Sequence, residues 1–292
     1  MPSGYLFLRN HAIQGENERR SNFEANSMTM GPIRQILGSD IARWIQRTAE
    51  VRLTKRAQAC AVNAINYLVR AEKTAEISTN VSFFCATHAT EEAVASFVSA
   101  CKAAGYDDAK EINLHDHKHK AAVSTFAELI SRHAHEVGIR IAHKPDDNIL
   151  VASVPTDAGV KYGPLGMYLF SFNEDPENLS PANAFHSFSN LFENPAEMHS
   201  HIRERSGFRD HALYATDEGV NQISEKSHAL LLQDHAFLTL GLVWAAIDVG
   251  QHERREPFLL QVLGAINQVT TGFKSRTASA SPPAKVSGPQ TS

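Results

Sequence analysis

Paired cysteines are missing from this sequence. Its three cysteines, Cys60, Cys85 and Cys101, are odd in number, form no CxxC pair and sit in helical-looking apolar stretches. That argues against a disulfide framework and for a reducing compartment. No basic segment followed by an apolar run opens the chain, so no secretory signal is expected. Nor is there an unbroken membrane-length run. The longest apolar stretch, 229–249, is interrupted by Gln233, Asp234 and His235, which reads as a buried core helix. Excess positive charge is absent too. With 28 Lys and Arg against 32 Asp and Glu, the net charge of −4 argues against a surface coated for nucleic acid, though it leaves room for a local basic patch. Walker loop, Gly-rich dinucleotide fingerprint and internal repeat are all lacking. The expectation is a soluble, cytoplasmic protein with no membrane partner.

What is present is an ordinary globular composition over 292 residues, with 42% hydrophobic and 21% charged. Residues 1–38 have weak periodicity and read as an N-terminal arm. Ser39-Asp40 offers an N-cap, and helical pattern follows. Ala61, Ala64, Ile65, Leu68 and Val69 mark an apolar stripe over 57–77, after which Ser78-Thr79-Asn80 stops one helix and starts another. The second helix spans about 81–104 and closes at Gly105. After a link at 107–113, a third runs over about 114–136. Ile149–Val154 and Met167–Phe172 look like short strands, so 145–180 reads as a β-hairpin-like insertion over the helical core. Helical pattern returns over 181–192 and 195–205. A capped helix starts at Ser224, and a last helix opens at Pro257 and ends near Phe273. The tail, 274–292, is rich in Ser, Pro, Ala and Gly and is expected to be disordered. The fold class is mainly α, with one helical domain over 39–273.

Three clusters can carry chemistry. Glu91-Glu92 lies mid-helix among apolar neighbours, and two adjacent carboxylates there cannot both face a core without partners. His115-Asp116-His117-Lys118-His119-Lys120 heads the third helix, with His117 and Lys120 on one face. These cations are candidate partners for Glu91 and Glu92. Functionally, His117 suits proton transfer and Lys120 a phosphate clamp; the plainer alternative is a solvated helix start. The third cluster, Arg203 to Tyr214, holds Arg205, Arg209, His211 and Tyr214. Three arginines near a histidine suit an anion, because the guanidinium stays charged and bonds in two places at once. A solvated helix end is the competing reading.

In order and spacing, these clusters resemble the AbiV-type abortive-infection proteins, relatives of the HEPN ribonucleases. The resemblance covers about 57–135 and 200–270. It rests on the Glu91-Glu92 pair, the His117-x-x-Lys120 step and the Arg209 to Tyr214 segment ahead of a long helix. The family's lysine shortly after the second Glu is replaced by 93–96, and 214–217 is looser than the usual Tyr-Val-Asp. The resemblance implies a HEPN-like antiparallel helical bundle, often dimeric, that acts in phage defence on a phage-derived or host trigger. It further implies metal-independent RNA cleavage or RNA binding, with no cofactor. Arg205 and His211 fit the R-x(4–6)-H spacing of the catalytic pair, and Arg209 and Tyr214 would contact phosphate or base. Glu91, Glu92, His117 and Lys120 would bind RNA or form a polar network holding the helices in register.

Two alternatives stand beside it. One is a non-catalytic helical interaction or dimerisation module. The other is a metal-binding bundle, for which Glu225-x-x-His228 supplies one step where two are needed.

Overall fold

The computed structural model describes residues 31–136, 140–144, 149–156, 159–164, 195–214, 219, 223–252 and 255–278. It is mainly α-helical. Among the described residues the helices are α1 (Pro32–Leu37), α2 (Asp40–Arg52), α3 (Lys55–Thr74), α4 (Thr79–Ala103), α5 (Asp107–Glu111) and α6 (His117–Glu136), then α7 (Pro195–Leu213), α8 (Glu225–Val249) and α9 (Pro257–Ala278). Between α6 and α7 lie β1 (Arg140–Lys144), β2 (Ile149–Thr156) and β3 (Gly159–Pro164).

Serine hydroxyls set three helix starts. Ser39, Ser78 and Ser224 accept from the amides of Ala42, Val81 and Ser227, each satisfying a donor the helix leaves unpaired. At the end of α4, Gly105 turns into the left-handed region at φ 83°. Tyr106 then donates back to Cys101 and Gly105 to Lys102, which closes the helix with a paired C-terminal turn.

The centre of the bundle is α4, buried on almost every side between α3 and α8. Ala57, Ala61, Ala64 and Ala71, with Leu68 among them, form a mostly alanine stripe on α3 at helical spacing, all nearly or fully buried. With Ala86, Ala89 and Ala93 on α4, they let the two backbones approach closely. Two buried hydroxyls pin the pair at its ends. Ser82 donates to the Ala71 carbonyl at 2.6 Å and Ser96 to the Ala57 carbonyl at 2.8 Å, so the helices run antiparallel. By contrast, α8 runs parallel to α4: Ile223 meets Asn80 at one end and His235 meets Thr90 further along. By length and composition α8 could cross a membrane, yet most of it is buried inside the bundle. The α9 helix is tied on by Tyr106, whose hydroxyl accepts from the Glu256 amide, and by Asn267, which donates to the Asp108 carbonyl.

Several boundaries differ from expectation. The arm contains a helix, α1, whose Ile33 is fully buried. Its first turn is held by Glu72, which accepts from the Ile33 amide. A Cβ at position 31 would displace that carboxylate from its present position. The link at 107–113 contains α5, started by Asp107 and Asp108 at the positive end of a helix. The last helix runs past Phe273 to Ala278.

The insertion is a three-stranded antiparallel meander in the order β1-β2-β3. Ile149–Val154 is a strand as expected. Its partners are Arg140–Lys144 and Gly159–Pro164, however, the second of these lying between the two expected strands. Glycines and Pro164 mark the ends of β3 and hid it in the sequence. Pro155 is accommodated because β2 pairs with β1 only from Ile149 to Ser153. Met167–Phe172, 181–192 and 279–292 lie outside the described residues.

Candidate functional site

Four helical stripes meet at one narrow cleft. From α4 come Phe83, Thr87, Thr90, Glu91 and Val94, and from α6 His117, Lys120, Ala121 and Ser124. Arg205 and Ser206 of α7 and Leu231 and His235 of α8 complete the lining. The α4, α6 and α8 sets recur at three and four residues, the spacing that puts side chains on one helix face. On α7, Met198 and Ile202 are buried, and Arg205 continues their stripe inward.

Glu91 is the hub. Its side chain is only 13% exposed, and three cations or imidazoles converge on it. His117 Nδ1 lies 2.8 Å from one carboxylate oxygen, while Lys120 Nζ lies 3.4 Å from the other. His88 Nδ1 approaches at 3.6 Å, its ring stacked beside Phe84 and edge-on to Tyr67. Burial alone would push the Glu91 carboxyl up. His88, Lys120 and His117 together reverse that and hold its pKa down to about 2. An ionised carboxylate can only accept, so His117 carries its Nδ1 proton toward Glu91.

A second ion pair joins α6 to α7, where Arg205 Nη1 donates to Glu128. Asp234 of α8 senses both partners. Burial raises its pKa, the Glu128 charge raises it further, and Arg205 only partly opposes them, which leaves it up at about 7. Beside it, His235 Nδ1 is 2.8 Å from the Thr90 hydroxyl, which is in turn 3.2 Å from that of Thr239. Burial, aided by the Arg205 charge, holds His235 down at about 3.

No family model, curated protein or solved structure matches this chain.

Of the residues singled out in the sequence, Glu91, His117, Lys120 and Arg205 come together in the cleft. The expected pairing of Glu91 with His117 and Lys120 is present. Glu92 is half-buried and makes no hydrogen bond or ion pair among the described residues. Tyr214 stands just beyond α7 and is 65% exposed. Arg209 and His211 belong to α7, and their side chains lie outside the described residues. Glu225 is exposed at the start of α8 and His228 is buried one turn on. Among the described residues, no group of three or more His, Cys, Asp or Glu is arranged to hold a metal ion.

The sequence reading missed Thr90, Glu128, Asp234, His235 and Thr239. A signal was available for two of them: Gln233-Asp234-His235 interrupts an otherwise apolar helix. Polar residues there need partners, and those partners line the cleft.

Proposed function

We propose that this protein is an RNA-binding or RNA-cleaving effector of the abortive-infection type, cytoplasmic and working as a homodimer, with the four-helix cleft as its site. One observation carries the reading. Arg205, chosen from the sequence for its spacing to a histidine, opens into the same cleft as the Glu91, His117 and Lys120 cluster chosen independently.

In this reading the proton-transfer group is His117. Glu91 holds its Nδ1 proton and fixes the ring, which makes the other ring edge the accepting one. The base accepts the proton of an RNA 2′-hydroxyl as that oxygen attacks the adjacent phosphorus. The 5′-oxygen leaves with a proton returned by the imidazolium, giving a 2′,3′-cyclic phosphate. Lys120 and Arg205 bond to the non-bridging oxygens as charge builds on them.

The interaction-module reading is favoured by a different fact. Lys120 and Arg205 are both already held by carboxylates, Glu91 and Glu128. Such pairs can serve only to fix helix register. The two readings separate in an RNA-integrity assay on induced cells and on purified protein with EDTA, comparing wild type with His117→Ala, Arg205→Ala and His211→Ala. Cleavage in EDTA that Arg205→Ala and His117→Ala abolish supports the RNA reading. Intact RNA in every arm, with no measurable RNA binding, hands the cleft to the structural role.

A further inference from the structure

His235 is a histidine that no motif called for, and its surroundings define what it can do. Its ring is fixed on two sides. Phe83 stands edge-on to it with centroids 5.5 Å apart, and Thr90 takes its Nδ1 edge at 2.8 Å. Its other nitrogen, Nε2, has no hydrogen-bond partner among the described residues. It is also not among the polar atoms sealed away from solvent without a partner. His235 lines the cleft, so its ring borders the space a ligand would occupy.

The protonation pattern follows from the hydroxyls behind the ring. Thr239 is fully buried, and its hydroxyl has Thr90 as its one hydrogen-bond partner among the described residues. A buried hydroxyl proton needs an acceptor, so Thr239 donates to Thr90. Thr90 then has its own proton to place. The Ala86 carbonyl at 3.5 Å is at the outer limit of a hydrogen bond, whereas His235 Nδ1 at 2.8 Å is well within it. The chain therefore runs from Thr239 to Thr90 to Nδ1, and the ring proton sits on Nε2.

We propose that His235 is a hydrogen-bond donor to a phosphate-like oxyanion bound in the cleft, its tautomer set by the Thr239–Thr90 hydroxyl pair. The proposal rests on the reading of the cleft as a phosphoester site and gives it a third donor beside Lys120 and Arg205. The depressed pKa fits the role: a ring that stays uncharged across the physiological range is a poor base but a constant N–H donor. It also divides the labour between two histidines. His117, backed by a carboxylate, moves the proton, while His235, backed by a hydroxyl, holds the oxyanion.

The test uses the full chain with two probes, a short single-stranded RNA and inorganic phosphate. Nitrogen-15 NMR of the imidazole rings in free protein, with His235 assigned by its loss in His235→Gln, reads the tautomer directly. Binding is compared for wild type, His235→Gln, His235→Asn and Thr90→Val, each checked for unchanged helix content. Glutamine places an amide donor near the Nε2 position, whereas asparagine replaces only the Nδ1 edge. The Nε2–H tautomer is expected in the wild type and its loss in Thr90→Val. Binding should weaken about tenfold in His235→Asn and stay within about threefold in His235→Gln. An Nδ1–H tautomer, or RNA binding that His235→Asn leaves intact, overturns the proposal while the RNA reading stands. If phosphate binds with the same variant order and RNA does not bind, the donor role is supported and the RNA reading falls. Binding of neither probe by wild type overturns both.

Discussion

Glu91 accepts a 2.8 Å hydrogen bond from His117 across the contact between α4 and α6, and Lys120, three residues further along α6, grips the other carboxylate oxygen. One acid therefore secures an imidazole and an ammonium on a neighbouring helix, in a place where an unpartnered charge would be costly. This geometry ties the stability of the bundle to the chemistry of its cleft.

Removing the Glu91 charge should show that coupling. Glu91→Gln leaves Lys120 at 12% exposure without its counter-charge, and a loss of about 3 kcal/mol is expected. Urea unfolding measures it. The double variant with Lys120→Met should recover part of the loss; additive effects would mean the two side chains do not interact.

Acid should weaken the wild type through the same carboxylate. The Glu91 pKa lies at about 2 in the fold against 4.5 without it. Its contribution is therefore complete above pH 4.5 and disappears as pH falls toward 2. Thermal melts across this window should fall more steeply for wild type than for Glu91→Gln. Parallel curves would rule Glu91 out as the source.

Asp234 predicts the opposite dependence. Its pKa is raised from 3.8 to about 7, so ionising it in the folded protein costs stability as pH rises through that range. Asp234→Asn should match wild type near pH 4 and exceed it by about 1 kcal/mol near pH 8, after allowance for solvent screening. A variant less stable than wild type at pH 8 would show that the ionised carboxylate has a stabilising partner.

Gly105 offers a purely conformational test. Its φ of 83° suits glycine, and a Cβ there would meet nothing within 4 Å. Gly105→Ala should therefore cost about 1 kcal/mol through backbone strain alone. Calorimetry would show a modest drop in Tm with the unfolding enthalpy nearly unchanged, while a large enthalpy change would point to a packing defect instead.

The helical scaffold was legible because its signals are local. Serine caps at 39, 78 and 224, the stripe from Ala61 to Leu68 and the stop at Gly105 each act within one turn of chain. What escaped was set by distant partners. Positions 32–37 look like an unstructured arm until Glu72, 39 residues away, supplies an acceptor for the Ile33 amide. The β3 strand is short, bounded by glycine and proline, and gains its ladder only beside β2. In the cleft, charged pairs such as Glu91 and Lys120 stood out because charge in an apolar helix demands a partner. Thr90 and Thr239 did not, because a threonine in a helix ordinarily satisfies itself on the preceding turn.

The parallel pairing of α4 with α8 has a consequence for how the molecule assembles. Ser82 and Ala71, which pin α3 to α4, are 11 residues apart, whereas Thr90 and Thr239 are 149 apart. Contacts of short separation form at small entropic cost and those of long separation late, so the α3–α4 hairpin should form before α8 arrives. The cleft then exists only in the finished bundle. In hydrogen-exchange experiments, amides of α8 around His235 should open with the lowest free energy among the core helices, and the hairpin should outlast them.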